Sequence, residues 1–170
     1  AAEMGPIMEI ADRHGLAVIE DAACAIGTTY NGEAVGGIGT LGCFSFHPRK
    51  VITTGEGGCV TTNNDDLAAS IASLRNHGST GLPDSTKEEI GPWTMTTFNK
   101  LGFNLRLSDI QSAVGVAQFA RLDVLLKERR QLALNYSELL GQLDGIAVPT
   151  KNVNSVGHTF QSYVIRVLEG

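Results

Sequence analysis

"CFSFHPRKVITTGEGG", residues 43–58, is the stretch on which the reading of this chain turns. A short apolar run, strand-like in length, ends in Ser45, His47, Pro48 and Lys50, and a glycine cluster follows at once. A strand that merely closed off a core would need only a turn there. This one delivers a hydroxyl and then an amine at its mouth. A lysine so placed can act as a general base, a phosphate contact or a nucleophilic amine.

Upstream, "PIMEIADRHG" (6–15) predicts a helix, with Pro6 near its start and Gly15 just past its end. "LAVIED" (16–21) then reads as a buried strand over 16–20, finishing at Glu20 and Asp21. Helix, glycine, buried strand and acid in that order indicate α/β layering, in which ligands sit outside the strand ends. A carboxylate at the end of such a strand is costly to desolvate unless a cation or strong donor faces it.

Further along, Asn31–Gly32 marks a tight hairpin turn within a glycine-rich connection over 28–40. Strands are expected at 41–46, 58–62 and 160–168. "NNDDLAASIASLRNHG" (63–78) predicts a helix capped by Asn63 or Asn64 and ended by Gly78. Residues 79–107 show no sustained period, which marks a functional or partner-facing segment. Two helices in near succession follow, with Ser108 as a cap. The Asn135-Tyr136-Ser137 sequon falls inside the second of them and is discounted. Arg129 and Arg130 read as that helix's wet face.

Composition narrows the function classes. Hydrophobic residues make up 42% of the 170, enough to form a core, and 20 glycines suit a backbone that approaches a ligand closely. A net charge of −5 without a basic face argues against nucleic acid. No apolar stretch is long enough to span a bilayer, and the expectation is a soluble, cytoplasmic protein with no membrane partner. Cys24, Cys43 and Cys59 form no CxxC pair and are expected as buried free thiols, and the four histidines show no ligand spacing, so no metal site is expected.

The polar residues at the strand ends suit pyridoxal phosphate. That cofactor needs a lysine for its aldehyde, a carboxylate to keep its ring nitrogen protonated, and a hydroxyl with backbone amides for its phosphate. Lys50, Asp21 and Ser45 supply these in turn. Such residues are common, and their spacing leaves other roles open: Asp21 could cap the turn after its strand, and Ser45 could satisfy backbone. Thr53, Thr54 and Glu56 are assigned to the turn itself, while His47 is either a turn residue or a neighbour of the cofactor.

The run from Gly15 to Gly78, with "FSFHPRK" and "TTGEGG" as its most specific pieces, and "LGFNLRLSDIQSAVGVAQFARLD" (101–123), resembles the DegT/DnrJ/EryC1/StrS family of sugar aminotransferases. The resemblance implies a three-layer α/β large domain of the fold-type I, pyridoxal-phosphate-dependent transferase class, with a mixed, mostly parallel sheet incomplete at both ends. It implies Lys50 as the Schiff-base lysine and proton shuttle, Asp21 as the pyridine-nitrogen partner, Ser45 as a phosphate contact, and Asn104 as a contact to a neighbouring subunit's cofactor in a homodimer. It further implies glutamate as amino donor and a nucleotide-linked keto-sugar as acceptor. Family members commonly carry Gln or His where this chain has Cys24, beside the cofactor. Residues 1–150 would be the central part of the large domain, and 151–170 the start of a small C-terminal subdomain.

Other classes fare less well. No GxSxG elbow supports a hydrolase, and a dinucleotide-binding reading is not favoured. A non-catalytic folded or dimerising segment remains an alternative, as does a dehydratase or regulatory relative of the same fold. Retention of Lys50 weighs against those dehydratases that have replaced it.

Overall fold

The computed structural model describes residues 1–80, 95–149 and 157–168. Helix α1 (Met4–His14) closes at Gly15 in the left-handed conformation, with Arg13 and His14 in its last turn, where basic side chains suit the helix dipole. Its N-terminus has no side-chain cap of its own. The Tyr30 hydroxyl accepts the Gly5 N–H instead, at 3.1 Å.

Strand β1 (Ile19–Asp21) starts later than the apolar run suggests. The reason lies in Val18, whose N–H goes to Thr40 Oγ1 and whose carbonyl accepts from both Thr40 and Leu41 N–H, so it is bonded to a turn rather than a ladder. The hairpin β2 (Thr29–Tyr30) and β3 (Glu33–Ala34) turns at Asn31 and Gly32, both at positive φ (50° and 88°), as the sequence signal demands. Strand β4 (Leu41–Ser45) then lies parallel to β1, and β5 (Gly58–Thr61) lies antiparallel to β4. The order β1-β4-β5 makes a mixed α/β sheet with the ends of β1 and β4 pointing the same way.

The chain divides into two compact units, residues 63–108 and the remainder. In the 63–108 unit, α2 (Asp65–Leu74) is capped by Asn64, whose side chain accepts the Leu67 N–H at 3.0 Å. The helix stops at Leu74 and not at Gly78. Gly78 belongs to the following turn, where a Cβ would lie 1.7 Å from the Lys100 carbonyl oxygen. Isolated bridges Asn76↔Asn104 and Ser79↔Phe98 order the described ends of the 79–107 segment, whose residues 81–94 lie outside the described set.

In the larger unit, α3 (Asp109–Phe119) and α4 (Leu122–Leu140) follow each other as expected. Leu126 of α4 joins Phe46, Val51 and Ile52 in the buried core, with Phe44, Leu122 and Leu125 packed against them. Phe119 meets Phe46 edge to face at 5.9 Å between ring centres. Two helices thus pack directly beneath the segment that carries Lys50. A short antiparallel pair, β6 (Ile146–Ala147) with β7 (Arg166–Val167), ends the described fold.

Three further expectations need correction. The strand predicted over 160–168 shrinks to β7, because residues 157–163 spend backbone groups on α4 side chains and Phe160 sits at φ 47°, off strand geometry. The thiols are free but not buried: Cys24 lies on an exposed loop, Cys59 on the exposed strand β5, and Cys43 is half-buried. Arg129 and Arg130 are not a wet face but hydrogen-bond donors to backbone carbonyls.

Glu20 answers the question of what faces a strand-end carboxylate. It is 6% exposed and accepts three backbone N–H groups, from Gly36 (2.8 Å), Ile38 (2.8 Å) and Gly39 (2.7 Å). Removing it leaves three donors without a partner, at a cost of about 3 kcal/mol. Urea unfolding of Glu20→Ala should show that loss, with Glu20→Gln losing less because one acceptor oxygen remains.

Candidate active site

Lys50 reaches its place through a turn built by small polar side chains. Ser45, the last residue of β4, accepts the His47 N–H on Oγ at 3.3 Å. His47 Nδ1 accepts the Arg49 N–H at 3.2 Å, and the Lys50 N–H closes onto the His47 carbonyl at 2.9 Å. These local bonds turn the chain sharply at the strand end. The amine then meets the thiol of Cys24, with Nζ 2.9 Å from Sγ. Cys24 lies three residues past Asp21, on the loop that leaves β1.

Register brings the other residues alongside. Asp21 pairs with Cys43 across the parallel β1–β4 ladder, and Ser45 lies two residues on. Strand alternation therefore places Asp21, Cys43 and Ser45 on one sheet face, with Glu20 on the other. Asp21 is exposed, and its Oδ1 accepts the Ala23 N–H at 3.2 Å, the turn-capping contact. The structure thus joins Lys50 to Cys24 directly, and sets Asp21 and Ser45 at the ends of neighbouring parallel strands. Asn104 stands in the other unit, exposed and bridged to Asn76.

The glycine loop after Lys50 is held by its threonines. Thr53 Oγ1 donates to the Phe46 carbonyl (2.8 Å) and accepts the Gly55 N–H (2.9 Å), and buried Thr54 donates to the Glu56 carbonyl (2.8 Å). His47 Nε2 stands 3.8 Å from Glu56 Oε1, a surface pair worth about 0–1 kcal/mol. Two glutamines that the motif reading passed over brace the same loop from α3. Gln118 Oε1 accepts the Thr53 N–H at 3.4 Å and Gln111 Nε2 donates to the Glu56 carbonyl at 2.9 Å. Their spacing of seven, which sets both on one helix face, was the available signal.

A second support was not visible in the sequence. Thr159, 1% exposed, donates to the Cys24 carbonyl at 3.4 Å, and Gln161 Nε2 donates to the Arg49 carbonyl. Arg130 spans the carbonyls of Gly27 (3.2 Å), Gly157 (3.0 Å) and His158 (3.2 Å). Among the described residues no cluster of His, Cys, Asp or Glu could hold a metal ion. A cavity of about 270 Å³ lies beside β1, lined by Met4, Ile7, Val18, Ile19, Asp21 and Val35 among others, and Lys50 does not reach it.

The whole chain, residues 1–170, matches the DegT/DnrJ/EryC1/StrS aminotransferase family. It belongs to that family. It is 43% identical over 169 residues to a GDP-perosamine synthase of Caulobacter vibrioides, covering 99% of this chain and 42% of that protein. Among solved structures it is similar to a DegT/DnrJ/EryC1/StrS aminotransferase from Brucella abortus (TM-score 0.82, 32% identity, 97% of this chain and 40% of that one). It is similar also to Helicobacter pylori PseC, an aminotransferase involved in the biosynthesis of pseudoaminic acid (TM-score 0.86, 28% identity, 98% and 42%). The fold is therefore that of the pyridoxal-phosphate-dependent aminotransferases, and pyridoxal phosphate is the family's cofactor. The chain spans about two-fifths of the length of these relatives. No helix among the described residues is long and apolar enough to cross a membrane.

Burial lowers the pKa of His158 below its ordinary value, and its Nδ1 accepts the Phe160 N–H at 2.8 Å, which suits the neutral ring. The folded state therefore binds this proton less readily than the unfolded chain. The stability this contributes is complete above the unfolded value of about 6.5 and is lost as pH falls through the window below it. An unfolding midpoint that declines below pH 6.5 in the parent, and less so in His158→Asn, is the expected result of denaturant titrations across pH.

Proposed function

We propose that the protein containing this chain is a pyridoxal-phosphate-dependent aminotransferase that moves an amino group, with glutamate as donor, onto a keto carbon of a nucleotide-linked sugar. The observation that carries the reading is the half-buried Lys50, whose amine meets Cys24 on the loop leaving β1, with Asp21 and Ser45 at the ends of the neighbouring parallel strands, within a chain of this family. Relatives named as GDP-perosamine synthase and UDP-N-acetyl-3-dehydro-alpha-D-glucosamine 3-aminotransferase support the nucleotide-sugar acceptor.

The donor set fits the cofactor. Lys50 would hold its aldehyde carbon, Asp21 its ring nitrogen, and Ser45 its phosphate, while His47 borders the same turn. Bound there, the cofactor supplies an electron sink for the carbon from which the proton is taken. Lys50 then acts at Nζ as the base that takes that proton and returns it at the neighbouring carbon. Asp21 would set its carboxylate against that nitrogen; its bond from the Ala23 N–H leaves the group exposed for a partner. Cys24, standing where relatives commonly carry Gln or His, accepts from the lysine amine through sulfur, a weaker acceptor.

A homodimer, with Asn104 reaching the partner's cofactor, and a cytoplasmic location complete the reading; residues 1–150 form the central part of the large domain and 151–170 open the small one.

Borohydride reduction of the intact protein with pyridoxal phosphate, followed by peptide mass mapping, should place the cofactor on Lys50. Lys50→Ala should lose that label and lower turnover of glutamate with a nucleotide keto-sugar by on the order of 10³-fold or more. A label that persists at another lysine in Lys50→Ala would refute the assignment.

A further inference from the structure

The lysine turn and the cysteine loop come from different strands, yet their tips meet at 2.9 Å. Two exposed loops with glycine-rich neighbours would not hold such a contact unaided. One short segment binds both from behind. The peptide unit joining Arg49 to Lys50 has its N–H on the His47 carbonyl (2.9 Å) and its C=O on Gln161 Nε2. A peptide unit bonded at both ends is held against rotation, so the point from which the Lys50 side chain leaves the chain is set. The unit joining Cys24 to Ala25 is treated alike: its N–H goes to the Ala22 carbonyl (2.9 Å) and its C=O to Thr159 Oγ1 (3.4 Å).

The segment itself is anchored to α4. Arg130 binds the carbonyls of Gly157 and His158 and, with the same guanidinium, the carbonyl of Gly27 at the far end of the cysteine loop. Arg129 binds the carbonyl of Gln161 at 3.0 Å. A planar fork can meet several carbonyls at once, which a lysine ammonium does less well. Only the NH₂ end of the Gln161 amide can face the Arg49 carbonyl, which fixes its orientation.

Resting on the assignment of Lys50 as the reactive amine, we propose that Arg130, Thr159 and Gln161 are positioning residues for Lys50. They clamp the peptide units beside Lys50 and Cys24 so that amine and thiol stay in contact and the amine is aimed at one point. The segment they form leads directly into β7, so the clamp also ties the reactive turn to the chain that continues beyond it.

The test uses the full-length protein stripped of cofactor, and an amine-acylating reagent. Acylation of Lys50 is read by mass spectrometry as a ratio to Lys127, an exposed lysine of α4 that serves as internal reference. Gln161→Glu removes the donor, Thr159→Val removes the hydroxyl at constant shape, and Thr159→Ser keeps it. The ratio should rise about fivefold in the first two variants, what one ordinary hydrogen bond contributes, and stay at the parent value in Thr159→Ser. Thermal midpoints of all three should stay within a few degrees of the parent, since each change removes at most one bond. An unchanged ratio in both Gln161→Glu and Thr159→Val overturns the proposal, as does a Thr159→Ser ratio equal to that of Thr159→Val. The cofactor reading is judged separately by borohydride trapping on the parent: if Lys50 takes no label there while the ratios behave as stated, the clamp stands and the cofactor assignment falls.

Discussion

A buried carboxylate holds this architecture in place. Glu20 sits in the middle of the three-residue strand β1 and collects the N–H groups of Gly36, Ile38 and Gly39. Those donors belong to a loop that is too glycine-rich to fix itself. Once fixed, the loop passes Thr40 and Leu41 to the Val18 carbonyl and launches β4 parallel to β1. Thr61 adds a bond from β5 to the Gly36 carbonyl at 2.5 Å, so the third strand is tied to the same loop. Without that arrangement β1 and β4 would have no register, and Asp21 would not stand beside Cys43.

The site inherits its geometry from that register and its rigidity from three separate braces. Side chains of the turn itself, Ser45 and His47, form the bend. Helix α3 holds the glycine loop through Gln111 and Gln118, and the Phe46–Phe119 ring contact presses the two together. Residues 157–161, carried by α4, hold the carbonyls on either side of the lysine–cysteine contact. Reactive side chains on turns become dependable only when the backbone beneath them is bonded on both sides. The partners of the third brace lie more than a hundred residues away in sequence.

Cys24 is the side chain that meets the Lys50 amine directly. A thiol next to an amine makes a softer and weaker contact than an amide or imidazole would. The exposed position of Cys24 and its contact with Lys50 set the amine against sulfur rather than against a fixed oxygen or nitrogen. The carbonyl clamp from Thr159 compensates in part by fixing the backbone when the side-chain bond is weak.

Much of this was legible in the sequence because local rules wrote it. Pro6 and Gly15 punctuated α1, Asn31–Gly32 made the hairpin, Asn64 capped α2, and Thr53 and Thr54 served their turn. The block from Ser45 to Gly58 marked the family by its order of residues alone. What stayed illegible was decided by partners distant in the chain. Glu20 looked like a strand-end acid beside Asp21, and only the folded loop showed which of the two is buried. Arg129 and Arg130 carry the pattern of a solvated helix face, yet backbone carbonyls claim them. The exposure of Cys24 and Cys59 and the shortness of β7 follow from where loops and edges fall in space. Sequence determined the turns, caps and chemistry-bearing residues, because those depend on neighbours within a few positions. Tertiary structure alone decided which polar groups are spent on backbone and which are left to react, because a hydrogen bond between residues 24 and 159 leaves no periodic trace in the chain.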